Sequence, residues 1–150
     1  MSAERGRLLA IDWGERRIGL AISDPTGTIA SPAGYILRRP GKRPPLAEII
    51  RRATELEARG FVVGLPLDEL GDDTPRATEV RRVAGELARR TGMAARLVDE
   101  RFTTAAARRT VHETGGKMKG RQGDIDALSA TVLLQHALRF DDAVTDEGDA

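Results

Sequence analysis

The sequence contains no cysteine, which excludes disulfides and thiolate metal sites and suits a reducing cytoplasm, where we expect the protein to work. Aromatic residues make up only 3% of the chain, too few for a stacking platform that would grip single-stranded nucleic acid. Lysine is also scarce, present only at Lys42, Lys117 and Lys119. Nearly all the positive charge is therefore arginine, whose planar fork suits phosphate contacts, although such a bias equally reflects genome base composition. No apolar run reaches membrane-spanning length and no signal-peptide pattern opens the chain, so no membrane partner is expected. What remains is ordinary for a soluble globular protein: 40% hydrophobic and 31% charged residues, with a net charge of +1. A length of 150 residues allows one substantial core and is too short for two large lobes.

The pattern of apolar residues predicts the elements. "RLLAID" (7–12) and "IGLAIS" (18–23) are short apolar runs separated by a turn that holds Gly14, which predicts a β-hairpin. "TIASPAGYIL" (28–37) predicts a third strand, at a sheet edge or bulged, because Pro32 lacks a ladder donor. After the loop "RRPGKRPP", Leu46, Ile49, Ile50, Ala53 and Leu56 recur at helical spacing up to Gly60. "FVVGLP" (61–66) lacks polar alternation, as a strand buried on both faces does. Thr74 as cap and Pro75 in the first turn start a second helix that Gly92 ends. "AARLVDE" (94–100) predicts the fifth strand, and Thr103 or Thr104 caps a helix to about Glu113. Gly115 to Gly123 predicts a mobile loop carrying Lys117, Lys119 and Arg121, and a last helix starts at Asp124. We expect one domain over residues 1–140 and an acidic, disordered tail over 141–150. Strands that form a meander and then alternate with helices imply an α/β protein: a mixed five-stranded sheet, β-meander then βαβα, flanked by helices.

Sites in such sheets form beyond the carboxyl ends of the parallel strands. Asp12 ends the first strand, Glu100 ends the fifth, and Asp126 lies in the first turn of the last helix, so the three carboxylates are expected around one point. Like charges so close repel unless a cation neutralises them, and Mg²⁺ takes carboxylates while leaving places for phosphate oxygens. The pattern points to metal-dependent phosphodiester hydrolysis, with one or two metals. Each acid also has a plainer role available: Asp12 as a turn residue, Glu100 in a surface ion pair with Arg101, and Asp126 as a favourable charge on the helix dipole. Asp24, before Pro25, reads as a turn residue.

Four blocks in order, "AIDWGERRIGLAISD", "VVGLPLDELGDD", "VDERFTT" and "DIDALSATVLLQ", resemble the YqgF (RuvX) family of Holliday junction resolvase-like pre-16S rRNA nucleases. The resemblance runs from about Leu8 to Leu138. It implies a ribonuclease H-like fold, Mg²⁺ or Mn²⁺ as cofactor, and a role in ribosome biogenesis through processing of the 5′ end of pre-16S rRNA. It carries catalytic and metal-ligating roles to Asp12, Glu100 and Asp126, substrate contacts to Arg17, Arg101, Thr103 and Thr104, and a Gly-Pro element to Gly64 and Pro66. Related resolvases bear a second acid at the end of the fourth strand; here that strand ends in Gly64-Leu65-Pro66 with Asp68 beyond, which leaves the second acidic ligand open. Lys117, Lys119 and Arg121, just before Asp126, are expected to grip substrate phosphates without reading bases.

Three other readings stay open. A four-way DNA junction could be the substrate, which would call for a homodimer presenting two symmetric sites. A non-catalytic domain of the same fold could bind ribosomal precursor RNA without cutting it. Finally, Asp12-x-Gly14 followed by Gly19 also matches the phosphate-binding hairpin of actin-like ATPases. That reading calls for a second lobe, which 150 residues do not supply.

Overall fold

In the computed structural model, residues 6–39, 41–102, 122–140 and 143–144 are described. The predicted hairpin forms from β1 (Arg7–Trp13) and β2 (Arg17–Ser23), paired antiparallel with Asp12 opposite Gly19 and Trp13 opposite Ile18. Gly14 closes the turn by donating its N–H to the Arg17 carbonyl at 3.1 Å. β3 (Ala30–Leu37) adds to β2 as the edge strand. Its register shifts between the partners of Gly19 and Ala21, and Gly34 there takes φ +85°, a conformation only glycine adopts without strain. Both features expected of the strand that carries Pro32, an edge position and a bulge, are therefore present.

The chain then alternates: α1 (Leu46–Glu55), β4 (Ala58–Leu65), α2 (Pro75–Thr91) and β5 (Ala95–Asp99). β4 pairs parallel with β1, and β5 parallel with β4. A 3₁₀ turn, Glu100–Phe102, follows β5, and α3 (Gln122–Phe140) is the last helix. Thr74 caps α2 as expected, its hydroxyl oxygen accepting from the Ala77 N–H, and Gly92 ends that helix in the left-handed conformation at φ 74°.

Several boundaries differ from expectation. Gly60 does not end α1: the helix stops at Glu55, Glu57 makes the left-handed turn at φ 60°, and Gly60 lies inside β4 against the Leu8 side chain. α3 begins at Gln122, two residues before the expected start at Asp124, so Gln122 and Gly123 are helical, not loop. A sixth strand joins the five expected. Ala143–Val144 (β6), within residues 141–150 where a tail is expected, pairs antiparallel with β5 and gives the order β3-β2-β1-β4-β5-β6. The free edge of β5 offers unpaired backbone groups that such a short strand satisfies. The helix expected from Thr103 or Thr104 to Glu113 and most of the loop 115–123 lie outside the described residues. No described helix is long and apolar enough to cross a membrane.

Period-two alternation sorts the sheet into two faces. Leu9, Ile11, Ile18, Leu20, Phe61, Val63 and Leu97 face α1 and α2, where they bury against Ile49, Val80 and Leu87. On the other face the strands present smaller groups, Ala10, Ala21, Val62 and Val98, against Leu133, Leu134, Ala130 and Ala137 of α3. Small residues let this one helix lie close to the sheet, and that proximity brings its first turn to the strand ends.

Candidate active site at the sheet rim

Because β1, β4 and β5 run parallel, their carboxyl ends share one rim. Asp12 continues the face of Ala10, and Gly19 and Gly64 continue those of Ala21 and Val62, so all three positions look toward α3. Ile11 pairs with Val63, which makes Asp12 and Gly64 neighbours on adjacent strands. The Glu100 side chain folds into the space above Gly64: a Cβ there would stand 3.0 Å from Glu100 Cγ, Cδ and Oε1. Asp12, at the end of β1, and Glu100, in the turn after β5, thus stand at neighbouring positions of the rim. Both are buried, with 3% and 8% of their surface exposed.

Asp126 arrives from α3 by backbone contact. Its carbonyl lies directly over Gly19, where any Cβ would collide with it and would stand 3.1 Å from the Ala127 nitrogen. Since Gly19 is the cross-strand partner of Asp12, the Asp126–Ala127 stretch of α3 is seated beside Asp12. The Asp126 side chain, also buried, accepts a hydrogen bond from Arg17 Nε to Oδ2 at 3.0 Å. A buried carboxylate is costly without a partner, and this guanidinium supplies one. Arg17, expected to contact substrate, is here bonded to one of the acids.

Among the described residues no group of three or more His, Cys, Asp or Glu side chains is arranged to hold a metal ion. The three acids share a rim without forming a closed cage. The donor chemistry, a buried carboxylate at the end of β1 and another over the adjacent Gly64, fits a hard cation that takes one or two carboxylates and completes its shell with water and phosphate oxygens. Asp12 and Glu100 are the residues that would hold such an ion.

Arg101, also expected to contact substrate, is bonded to Asp99. Its backbone N–H donates to Asp99 Oδ1 at 2.9 Å, and its guanidinium binds both Asp99 oxygens. These bonds push the Arg101 guanidinium above its ordinary range. Nη1 also reaches the Glu69 carbonyl at 3.3 Å, so Arg101 straps the β4–α2 loop to β5. Glu100 itself is buried and not a surface residue. Asp68 is exposed and accepts from the N–H groups of Leu70 and Asp72, a turn role. Pro66, of the Gly-Pro element, accepts the Thr74 hydroxyl at 2.7 Å and ties the end of β4 to the start of α2. Asp24 is the expected turn residue; bonds from Ile29, Thr26 and Thr28 hold its carboxyl well below the usual range. Thr103, Thr104, Lys117, Lys119 and Arg121 lie outside the described residues.

One cluster escaped the sequence reading. Trp13 Nε1 donates to Glu79 Oε1 at 2.8 Å, Arg38 Nη2 donates to Glu79 Oε2 at 3.0 Å, and the Arg38 guanidinium sits 4.7 Å over the Trp13 ring. Arg38 Nη1 also binds the Gly14 carbonyl at 3.0 Å. Burial pushes the Glu79 carboxyl up, yet the bonds from Trp13 and Arg38 outweigh it and hold the group below its ordinary value. The cluster pins the hairpin turn from the face opposite Asp12. The one signal available was a lone tryptophan next to Asp12 in a chain poor in aromatics.

A mixed sheet built as an antiparallel meander followed by parallel strands, with acids at the carboxyl rim and a last helix laid across it, defines an α/β protein with the ribonuclease H-like fold. Solved structures agree on the fold: Thermus thermophilus RuvC superposes with a TM-score of 0.53 at 13% identity, covering 91% of this chain and 98% of that one. The same organism's RuvC in complex with a Holliday junction substrate gives 0.52 at 13% identity, over 93% and 98%. The profile of the family described as "RuvX: Holliday junction resolvase" matches residues 6–140, and the chain belongs to that family. A protein of Roseiflexus sp. (strain RS-1) named "Putative pre-16S rRNA nuclease" is 41% identical over 138 residues, 92% of this chain and 97% of the relative. A protein of the same name from Koribacter versatilis (strain Ellin345) is 40% identical, over 89% and 87%.

Proposed function

We propose that this protein is a divalent-metal-dependent nuclease that trims the 5′ end of pre-16S rRNA in the cytoplasm. The observation that supports the reading is the placement of buried Asp12 at the end of β1 beside Gly64, the Glu100 side chain over Gly64, and Asp126 of α3 over Gly19, the cross-strand partner of Asp12. The name shared by its relatives supports RNA as the substrate. When bound, Mg²⁺ or Mn²⁺ would activate water and stabilise the leaving oxygen. The chain's own contribution is placement. Gly64 leaves room for Glu100, Gly19 admits α3, and Arg17 orients the Asp126 carboxylate. Thr103, Thr104, Lys117, Lys119 and Arg121 are proposed to hold substrate phosphates near this rim.

The test is cleavage of 5′-labelled precursor RNA, single-stranded RNA, duplex DNA and a four-way DNA junction, with Mg²⁺, Mn²⁺ or EDTA, comparing wild type with Asp12→Asn. We expect metal-dependent cleavage of the precursor RNA that falls by roughly 10²-fold or more in the variant, as loss of a group that holds the ion implies. Cleavage confined to the junction would replace RNA by DNA as substrate and call for a dimer. Cleavage of no substrate, or equal cleavage by the variant, would leave a binding domain without catalysis.

A further inference from the structure

The chain carries 24 basic and 23 acidic side chains, and pairing accounts for much of the exposed arginine. Arg51 and Arg52 pair with Glu48, Arg81 with Asp73, Arg89 and Arg90 with Glu86, and Arg76 with Glu15. Against that background four exposed cations have no ion-pair partner among the described residues: Arg16, Arg39, Lys42 and Arg43.

These four are gathered in one place. β3 ends at the same rim as β1, and the Arg38 N–H donates to the Arg16 carbonyl at 2.7 Å, which joins the β1–β2 turn to the segment after β3. That segment then folds back on itself. The Lys42 N–H donates to the Arg39 carbonyl at 3.1 Å, with Gly41 at φ 75° supplying the left-handed position of the turn. Arg38, within the segment, is held by Glu79 and the Trp13 ring, so the cations stand on an anchored base. The acid of the neighbouring turn, Glu15, is engaged by Arg76 at 3.1 Å and does not neutralise them. The other exposed arginines without a partner among the described residues, Arg59, Arg82 and Arg139, stand apart: at the start of β4, midway along α2 and in the last turn of α3.

We infer that Arg16, Arg39, Lys42 and Arg43 form a phosphate-tracking edge that carries the nucleic-acid strand toward the acidic rim. The inference rests on the nuclease reading and adds to it a binding surface on the β2–β3 side of the sheet. Two inter-strand spacings, about 10 Å, separate β1 from β3, so a strand lying on this edge reaches Asp12 without leaving the rim. A polyanion approaching buried carboxylates meets repulsion, and a neighbouring row of exposed cations offsets it. Arginine and lysine without interleaved aromatics suit backbone contact that is indifferent to sequence.

The experiment measures binding of fluorescein-labelled single-stranded RNA in EDTA across a salt series. It compares wild type with the Arg16→Gln, Arg39→Gln, Lys42→Gln, Arg43→Gln variant and with a control bearing Arg59→Gln, Arg82→Gln, Arg90→Gln and Arg139→Gln. Both variants lose four charges, all on exposed side chains, where substitutions leave folding nearly unchanged. We expect the edge variant to bind at least roughly 10-fold more weakly and to lose about 0.7 units of log–log salt slope per phosphate contact removed, as for single strands, while the control stays near wild type. Equal weakening of both variants would reduce the effect to net charge and overturn the inference, as would an edge variant that binds like wild type. If wild type binds no RNA at all, the inference falls with it. If the edge variant alone is normal while Asp12→Asn abolishes cleavage, the nuclease reading stands without this edge.

Discussion

The carbonyl of Asp126 rests on Gly19, so α3 meets β2 with no side chain between them. Gly19 is the cross-strand partner of Asp12, and the contact therefore sets how far an acid from the last helix stands from an acid of the first strand. Gly19→Ala has no room for its methyl group and must push α3 outward. Overpacking of this kind costs typically 1–3 kcal/mol. Urea unfolding is expected to show that loss, together with reduced cleavage.

Gly64→Ala tests the second close approach separately. Here the obstruction is the Glu100 side chain, which can turn aside, so the expected loss of stability is smaller than at Gly19. Displacing a reacting group by about 1 Å can lower turnover roughly 10²-fold. Kinetics beside a melting curve should show a large drop in cleavage with nearly normal unfolding.

Arg17→Gln removes the guanidinium bonded to Asp126. Arg17 keeps 25% of its side chain exposed and Asp126 13%, so the pair is neither a free surface bridge nor a fully buried one. We expect a loss of about 1–2 kcal/mol, between those limits. In a double-mutant cycle with Asp126→Asn, the second substitution should cost less in the Arg17→Gln background than in wild type. Strict additivity would show that the two side chains are not coupled.

Glu79→Gln loosens the cluster behind the hairpin, removing the charge that faces Arg38 and weakening the bond from Trp13, at about 1 kcal/mol. The effect depends on pH. Because the folded-state value of Glu79 lies below its ordinary 4.5, its contribution is fully present above that pH and is lost as pH falls through the lowered value. Unfolding between pH 6 and 3 should therefore show the variant and wild type converging on the acid side, and a constant gap across that range would contradict the assignment.

Local physics made much of this protein readable in advance. The hairpin followed from two apolar runs around Gly14, the start of α2 from Thr74-Pro75, and the bulged edge strand from Pro32. Placing Asp12 and Glu100 at one rim followed from parallel strands joined by helical crossovers. What tertiary structure decided were the partners. Arg101 binds Asp99, leaving Glu100 to Gly64, because neighbouring residues at a strand end point to opposite faces and only the sheet's register says which face is which. Arg17 and Asp126 are 109 positions apart and meet because α3 lies across β2. Gly19 and Gly64 read in sequence as turn or strand glycines; only the packed structure shows that each is the space another backbone or carboxylate occupies.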